Sequence, residues 1–389
     1  MQEVGRWMQK VKLETKHRMI KKLLFALLIL ISFHGFSQNI SLSKQAKVSI
    51  LTCGTGPESY AMYGHTGIRI QDVSQQIDVV YNYGAFDFDT PNFIGRFVKG
   101  DLQYFVTNGS YIDFYYNYQA ENREIIEQDL ALSPAQINQL FQQLNASVYS
   151  DDRFYTYKFI DRNCTTMVVD KINNTLGSEY IKSQNSNQSY REILYPYMSD
   201  FYMKLGIQLI FGAKVDEPAT RLFLPYEFKK AISNTKVNGT TIEQSNKTIL
   251  EERKTDIPFN WLNSIYSLIG ILFLLVILGK KWLKISYLIF AGLLGVFFSL
   301  VGLYSLHEEI LWNYNILLFN PLLLVFAWHY WKGNRVKIIL FGQICLGFLL
   351  AYFVYMLNKI HLEMVWPFIA LHFYWIGKIV LLSKKTKQS

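Results

Sequence analysis

The order of apolar and polar positions divides the chain near residue 257. Before that point apolar residues come in short runs mixed with polar ones. After it come five long apolar stretches, at about 258–279, 285–306, 311–330, 336–358 and 364–382. Each approaches the ~20 residues that a helix needs to span a hydrocarbon core. The charges fall in the gaps. Lys280, Lys281 and Lys284 fill the first gap, His307-Glu308-Glu309 the second, and Lys332, Arg335 and Lys337 the third. Asn358–Glu363 forms the fourth, and Lys378, Lys384, Lys385 and Lys387 close the chain. If the preceding domain is exported, all three basic positions lie inside, as the positive-inside rule requires. Trp261, Trp282, Trp312, Trp331 and Trp366 sit near span ends, where interfacial anchors belong. Glu308, Glu309, His361 and Glu363 read as solvated loop residues.

At the other end, residues 1–18 are polar and basic. From Met19 the pattern is that of an export signal: Lys21-Lys22, the apolar run Leu23–Phe33, then Gly35-Phe36-Ser37. Residues 1–37 are therefore read as a signal sequence cleaved after Ser37, or as a retained N-terminal anchor. Residues 38–232 form an exported domain, 233–256 a hydrophilic tether, and 257–389 a membrane domain of five transmembrane helices.

Within the exported part, Lys47–Cys53 alternates as a strand. A strand opened by His65 runs through Ile70, Asp72–Gln76 turns, and Ile77–Tyr83 returns. Pairing Ile70 with Ile77 would set Ile68 against Val79 and His65 against Asn82, on one face. Arg96–Val106 and Glu121–Leu132 read as further strands. Ser133-Pro134 starts a helix that runs to about Ala146. Phe201–Phe211 is apolar but too short to span, so it is either a core helix or a segment resting on the bilayer.

The run Asp161-Arg162-Asn163-Cys164-Thr165-Thr166 reads as a helix start, with Asp161 or Asn163 as cap. Met167, Val168, Ile172 and Leu176 then recur at helical spacing, and Gly177 ends the element. A thiol in a first helical turn lies in the positive end of the helix dipole, which favours the nucleophilic thiolate. His65 is the one histidine between the signal sequence and the apolar stretches. Imidazole can serve a thiol as base and a leaving group as acid. Asn82 is placed to orient the ring; Asp87 or a backbone carbonyl is the alternative. A Cys53–Cys164 disulfide would silence the thiol, and a small buried cysteine under a helix is the structural alternative.

The composition narrows the classes. The 389 residues carry 39 Lys and Arg against 30 Asp and Glu, a net charge of +9. The basic residues are dispersed between apolar stretches rather than gathered on one face, which argues against nucleic acid. Three cysteines argue against a disulfide-built fold, and their spacing matches no zinc motif. No cofactor is indicated.

A histidine strand followed by an Asn-Cys helix start resembles the circularly permuted papain-like hydrolases and acyltransferases. Here those elements are His65-Thr66-Gly67-Ile68 and Asn163-Cys164. A wider set of pieces resembles the Lnb N-terminal periplasmic domain family over most of residues 45–232. These are Gly56-Pro57, Tyr63-Gly64-His65-Thr66, Asn82-Tyr83-Gly84, Gly100-Asp101-Leu102-Gln103-Tyr104 and Asp161–Thr166. Leu205-Gly206 through Gly212, Asp216 and Leu224-Pro225 complete the set. The resemblance implies an α+β permuted papain-like domain in the periplasm, followed by an all-α inner-membrane domain of several passes. It implies a lipoprotein N-acyltransferase that uses Cys164 and His65 and takes an acyl chain from phospholipid. The acceptor would be the amino-terminal amine of a diacylglyceryl-modified lipoprotein. Thr165, Thr166, Tyr63 and Asp161 are the candidates for substrate or oxyanion contacts. Phe201–Phe211 and Tyr111–Tyr118 are candidates for the acyl path, with ordinary core as the alternative. A peptidoglycan amidase or peptidase, or a non-catalytic lipoprotein-binding envelope module, would use the same exported domain differently.

Overall fold

The computed structural model describes residues 18–22, 41–184, 187–253 and 258–385. Most of the expected signal sequence lies outside these. The chain forms two compact units, Met1–Ser41 and Leu42–Ser389, and the second holds both the sheet and the apolar helices.

The sheet has seven strands in the order β6-β4-β3-β2-β1-β5-β9, with every neighbouring pair antiparallel. The strands are β1 (Lys47–Cys53), β2 (His65–Asp72), β3 (Ile77–Ala85), β4 (Gln103–Ser110), β5 (Ile125–Leu130), β6 (Phe154–Thr156) and β9 (Glu243–Leu250). A two-residue ribbon, β7 (Lys236–Val237) with β8 (Thr240–Thr241), precedes the last. The interior strand β1 is apolar on both faces because both are covered. Val48 and Ile50 join Leu140, Leu144, Val168, Ile172 and Phe228 in one core, while Leu51 and Cys53 join Phe114 and Ile125 in another. The first core is supplied by α3 (Pro134–Tyr149), α4 (Cys164–Leu176) and α7 (Pro225–Asn234). The second is supplied by α2 (Tyr111–Ala120). Phe114 and Tyr118 of α2 pack ring on ring at 4.6 Å, as core rather than as a channel.

Three expectations for this part change. Arg96–Val106 is not one strand: α1 (Phe93–Lys99) occupies its first half, and β4 begins at Gln103. Gly100 at φ 78° ends α1, and a side chain there would press on His307 at 3.1 Å. The hairpin register is shifted by two residues, with Asp72 opposite Ile77 and Gly67 opposite Asn82. Asp72 explains the shift: its carboxylate accepts from Ser74 N and Ser43 N, so the turn closes after Asp72. A shift of two preserves the face, so His65 and Asn82 still share it. Finally, within the stretch expected as a tether, Glu243–Leu250 is strand β9, which pairs along β5 and closes that edge of the sheet.

The apolar part contains α8 (Ile265–Leu278), α9 (Lys281–Tyr304), α10 (Leu322–Lys332), α11 (Arg335–Met356) and α12 (Leu362–Lys385). Among the described residues four segments are long and apolar enough to cross a membrane: Lys281–Tyr304, Glu308–Lys332, Arg335–Met356 and Leu362–Lys385. The stretch expected as a first span yields a helix of 14 residues, or about 21 Å, short of a ~30 Å core.

The segment Glu308–Lys332 is broken. Short 3-10 turns at Glu308–Ile310 and Tyr314–Leu317 precede α10, which starts after Pro321. Irregular backbone at membrane depth must find its hydrogen bonds in protein. The Gly212 and Ala213 amides supply them, donating to the Glu309, Leu311 and Trp312 carbonyls. In return Asn313 and Asn315 donate their side-chain amides to the Leu209 and Ile210 carbonyls at the end of α6 (Phe201–Ile210). These are carbonyls that a helix end leaves without partners. Leu205 and Leu209 of α6 pack into the membrane-helix core, so α6 is a core helix joining the two parts.

Of the four loop residues expected to be solvated, Glu308 and Glu363 are exposed, Glu363 accepting from Tyr195 Oη. Contrary to the sequence reading, Glu309 is 2 % exposed and His361 is fully buried, because the loops between spans meet the sheet domain there. Arg191 lies at the centre of the seam they form. Its guanidinium donates to Asp216, to Gln208 Oε1 and to the Gly212 carbonyl. Tyr314 Oη bonds Asp216 at 2.9 Å and lies 3.3 Å from His361 Nε2. Burial and the nearby charges of Arg191 and Lys359 push the His361 imidazole far down, so it is neutral.

Candidate active site

Asn163 caps α4 with its side-chain oxygen, which accepts from Thr165 N at 2.9 Å and Thr166 N at 3.0 Å. Thr166 Oγ1 accepts in return from Asn163 N at 2.8 Å, completing a capping box. The Asn163 amide nitrogen donates to the Phe159 and Phe223 carbonyls, which fixes the helix start against the loop before it. Cys164 is thereby held as the first residue of the helix, half-buried, with the dipole behind it.

His65 opens β2 and stands beside the Cys164 thiol, close enough to influence its ionisation. Its Nε2 lies 3.1 Å from Asn82 Oδ1, so Nε2 carries the proton and Nδ1 is left for Cys164. Burial opposes charge on both groups and is the largest single influence on each. For Cys164 it is outweighed by the hydrogen bond and charge of His65, the Thr66 backbone N–H and the Thr165 hydroxyl, so the thiol lies below its ordinary range. For His65 the contacts with Cys164 and Asn82 prevail, and the imidazole is raised. Both directions favour a thiolate–imidazolium pair.

Gly84 borders the thiol, and its backbone conformation is one that favours glycine. It sits at φ 95°, and a Cβ there would stand 3.5 Å from Cys164 Cβ. Cys53 is opposite His65 in the β1–β2 register, yet it is free, fully buried and pushed up to about 12 by burial. Cys164 is also free, so no disulfide silences the site. Among the described residues no group of His, Cys, Asp and Glu is arranged to hold a metal ion.

The other expected site residues are placed differently. Thr165 and Thr166 are buried, with their amides consumed by the cap. The Thr165 hydroxyl bonds Thr66 Oγ1 at 3.0 Å, tying α4 to β2. Tyr63 Oη is engaged by Met198 Sδ, and its ring packs on Phe159. Asp161 is exposed and leaves the capping to Asn163; its carbonyl accepts from Arg221.

Sequence reasoning missed the loop that delivers Cys164. Ile160 N donates to Glu309 Oε1 at 3.1 Å, and Lys158 Nζ donates to the Leu306 carbonyl at 2.5 Å. The approach to the thiol is therefore fastened to the membrane part. The available signal was a pair of carboxylates in a very short gap between apolar runs.

Residues 33–195 match the Lnb N-terminal periplasmic domain family. The resemblance drawn from the motifs is thus borne out, and the match covers the sheet through β6 together with His65, Asn82 and Cys164. It ends before the pieces at Leu205–Gly212, Asp216 and Leu224-Pro225. No curated protein and no solved structure matches the chain. The chain joins an α+β domain, which matches that periplasmic family over residues 33–195, to apolar helices of membrane-spanning length.

Proposed function

We propose that this protein is a cysteine-dependent lipoprotein N-acyltransferase of permuted papain-like architecture, anchored in the inner membrane. The observation that carries the reading is the Cys164–His65–Asn82 chain at a helix start, on an Lnb-type domain fastened to membrane helices. Cys164 Sγ attacks the ester carbonyl of a phospholipid. The carbonyl–oxygen bond to glycerol breaks, and His65 returns its proton to the departing alkoxide, leaving a thioester and a lysophospholipid. The amino-terminal amine of a diacylated lipoprotein then attacks the thioester. His65 removes its proton, the C–S bond breaks and the thiolate is restored. With the Thr165 and Thr166 amides taken by Asn163, the Cys164 amide is the first-turn donor that serves the oxyanion.

The same reading favours five crossings. β9 ends in the periplasmic sheet, and the outer end of α9 is bonded to that domain through Ser305 and Leu306. On this reading the chain between them reaches the far face and returns, with the 14-residue α8 and the residues flanking it as the inward passage.

The test uses the full chain in vesicles with a phospholipid labelled in its acyl chain and a diacylated lipopeptide, read by mass spectrometry. Wild type is expected to produce lysophospholipid and triacylated lipopeptide, and Cys164→Ala neither. Triacylation by Cys164→Ala would reject the nucleophile. An untouched lipopeptide with cleaved muropeptides would make the protein a peptidoglycan enzyme.

A further inference from the structure

Three α1 side chains are directed outward: Ile94 is 76 % exposed, Phe97 48 % and Val98 39 %. Such a contiguous apolar face on a seven-residue helix is unusual on a water-facing surface. Its position accounts for it. Ser305 Oγ donates to the Val98 carbonyl at 2.7 Å, Leu306 N to the Lys99 carbonyl at 2.6 Å, and His307 Nε2 to the Phe97 carbonyl at 2.8 Å. Those donors directly follow α9, whose 24 residues extend about 36 Å and cross a ~30 Å core from the Lys281 end. α1 is therefore pinned where α9 emerges, level with Leu303 and Tyr304, which are themselves exposed. The same three bonds satisfy carbonyls that a helix C-terminus leaves open, which permits the helix to enter a weakly polar layer. Arg96 and Lys99 flank the apolar face and share Asp101, a composition suited to an interface of anionic headgroups.

Aromatic rings link this helix to the thiol. Phe93, its first residue, packs on Phe88 at 5.2 Å, and Phe88 on Phe86 at 4.8 Å. Phe86 contacts Tyr104 at 5.3 Å and stands two residues beyond Gly84, which faces Cys164. An open groove of about 640 Å³ borders Phe86 and Phe88, with Phe105 and Phe154 on its apolar side and Asp87, Asp89, Thr90, Gln103 and Arg153 on its polar side. That volume falls in the ~300–1,000 Å³ range of small-molecule sites.

We propose that α1 is seated in the outer face of the bilayer and, with Phe86 and Phe88, admits a phospholipid acyl chain to Cys164. The inference rests on the acyl-transfer reading of Cys164 and gives it a lipid entrance. The occupant follows from continuity with the membrane helices, because the apolar face begins where α9 leaves the hydrocarbon. α2 also exposes Ile112 and Tyr116, and α6 exposes Tyr202 and Met203, but the α1 face is the one bonded directly to the end of α9.

The experiment uses the full chain in phosphatidylethanolamine–phosphatidylglycerol vesicles doped with a phosphatidylethanolamine carrying a diazirine in one acyl chain. After illumination, label is expected on the peptide 86–99. Ile94→Asp and Phe97→Asp, both at exposed positions, should each reduce that label and raise the lipid concentration for half-maximal lysophospholipid release about tenfold. Alkylation of Cys164 by iodoacetamide in detergent should stay unchanged in both, which verifies an intact site. Label confined to α8–α12, or label at 86–99 undiminished in both variants, overturns the proposal. Label at 86–99 from a wild type that releases no lysophospholipid supports the lipid seat and removes the reaction instead.

Discussion

The thiol site and the seam between domain and membrane helices are both buried polar networks, assembled in opposite ways. At the thiol, Asn163, Cys164 and Thr166 are neighbours in sequence, and His65 and Asn82 stand on paired strands. At the seam, Arg191, Asp216, Tyr314 and His361 come from four separate segments, two in the domain and two between apolar helices. The first network leaves a half-buried thiol whose ionisation is favoured. The second is closed, and its histidine is forced neutral. A local network of this kind adjusts reactivity, whereas a dispersed one holds large parts in register. Mutations should therefore separate the two by what they change.

The largest effect is expected from His65→Ala, a loss of about 10²–10⁴-fold in acyl transfer. It removes the largest of the interactions that lower the Cys164 thiol while leaving the burial that raises it. The iodoacetamide rate–pH profile of Cys164 should therefore move to higher pH, with little change in thermal unfolding. In wild type the thiolate persists down to the depressed thiol pKa and is lost below it. The imidazolium is lost as pH rises through its raised value. A profile that does not move would detach His65 from the thiol.

Arg191→Met should do the converse. Removing one partner of a buried ion pair costs about 3–5 kcal/mol, to be read as a lowered apparent melting temperature in detergent. The Cys164 alkylation profile of the folded protein should keep its midpoint. A shifted midpoint without destabilisation would mean that the seam adjusts the thiol directly.

Glu309 belongs to both networks, because it receives Ile160 N four residues before Cys164. Glu309→Ala strands that amide, at about 1–3 kcal/mol, and should slow lysophospholipid release. Glu309→Gln retains an acceptor and should largely restore it. Equal behaviour of the two variants would show that the charge, rather than the hydrogen bond, is what matters. The mildest change is expected from Asn82→Ala, about 10-fold in rate through lost orientation of the ring, with the alkylation midpoint moving less than in His65→Ala.

The sequence was legible where structure is set by near neighbours. The Cys164 helix has its start at Asn163 and its end at Gly177, because cap and stop chemistry act within one turn. The match to the Lnb periplasmic domain family follows from motif pieces of the same local kind. Legibility failed where partners are distant. α1 alternates like a strand, but Gly100 and the Ser305–His307 loop make it a helix. The polar residues of β9 looked like a linker because its pairing partner β5 lies far away in the chain. Glu309 and His361 looked solvated because their partners, Ile160 and Tyr314, cannot be inferred from the apolar runs beside them. The break in Glu308–Lys332 was likewise hidden, since Asn313 and Asn315 are tolerable there only against the end of α6.

The central claim is that Cys164 carries the acyl group between two lipids. The direct measurement is the mass of the Cys164 peptide after the full chain is incubated with phospholipid vesicles and no lipopeptide. The account predicts a gain of one fatty acyl group on that peptide, removed by neutral hydroxylamine and by added diacylated lipopeptide. It also predicts that the gain is absent in Cys164→Ala and in His65→Ala. An unmodified Cys164 peptide from enzyme that still triacylates the lipopeptide would contradict it.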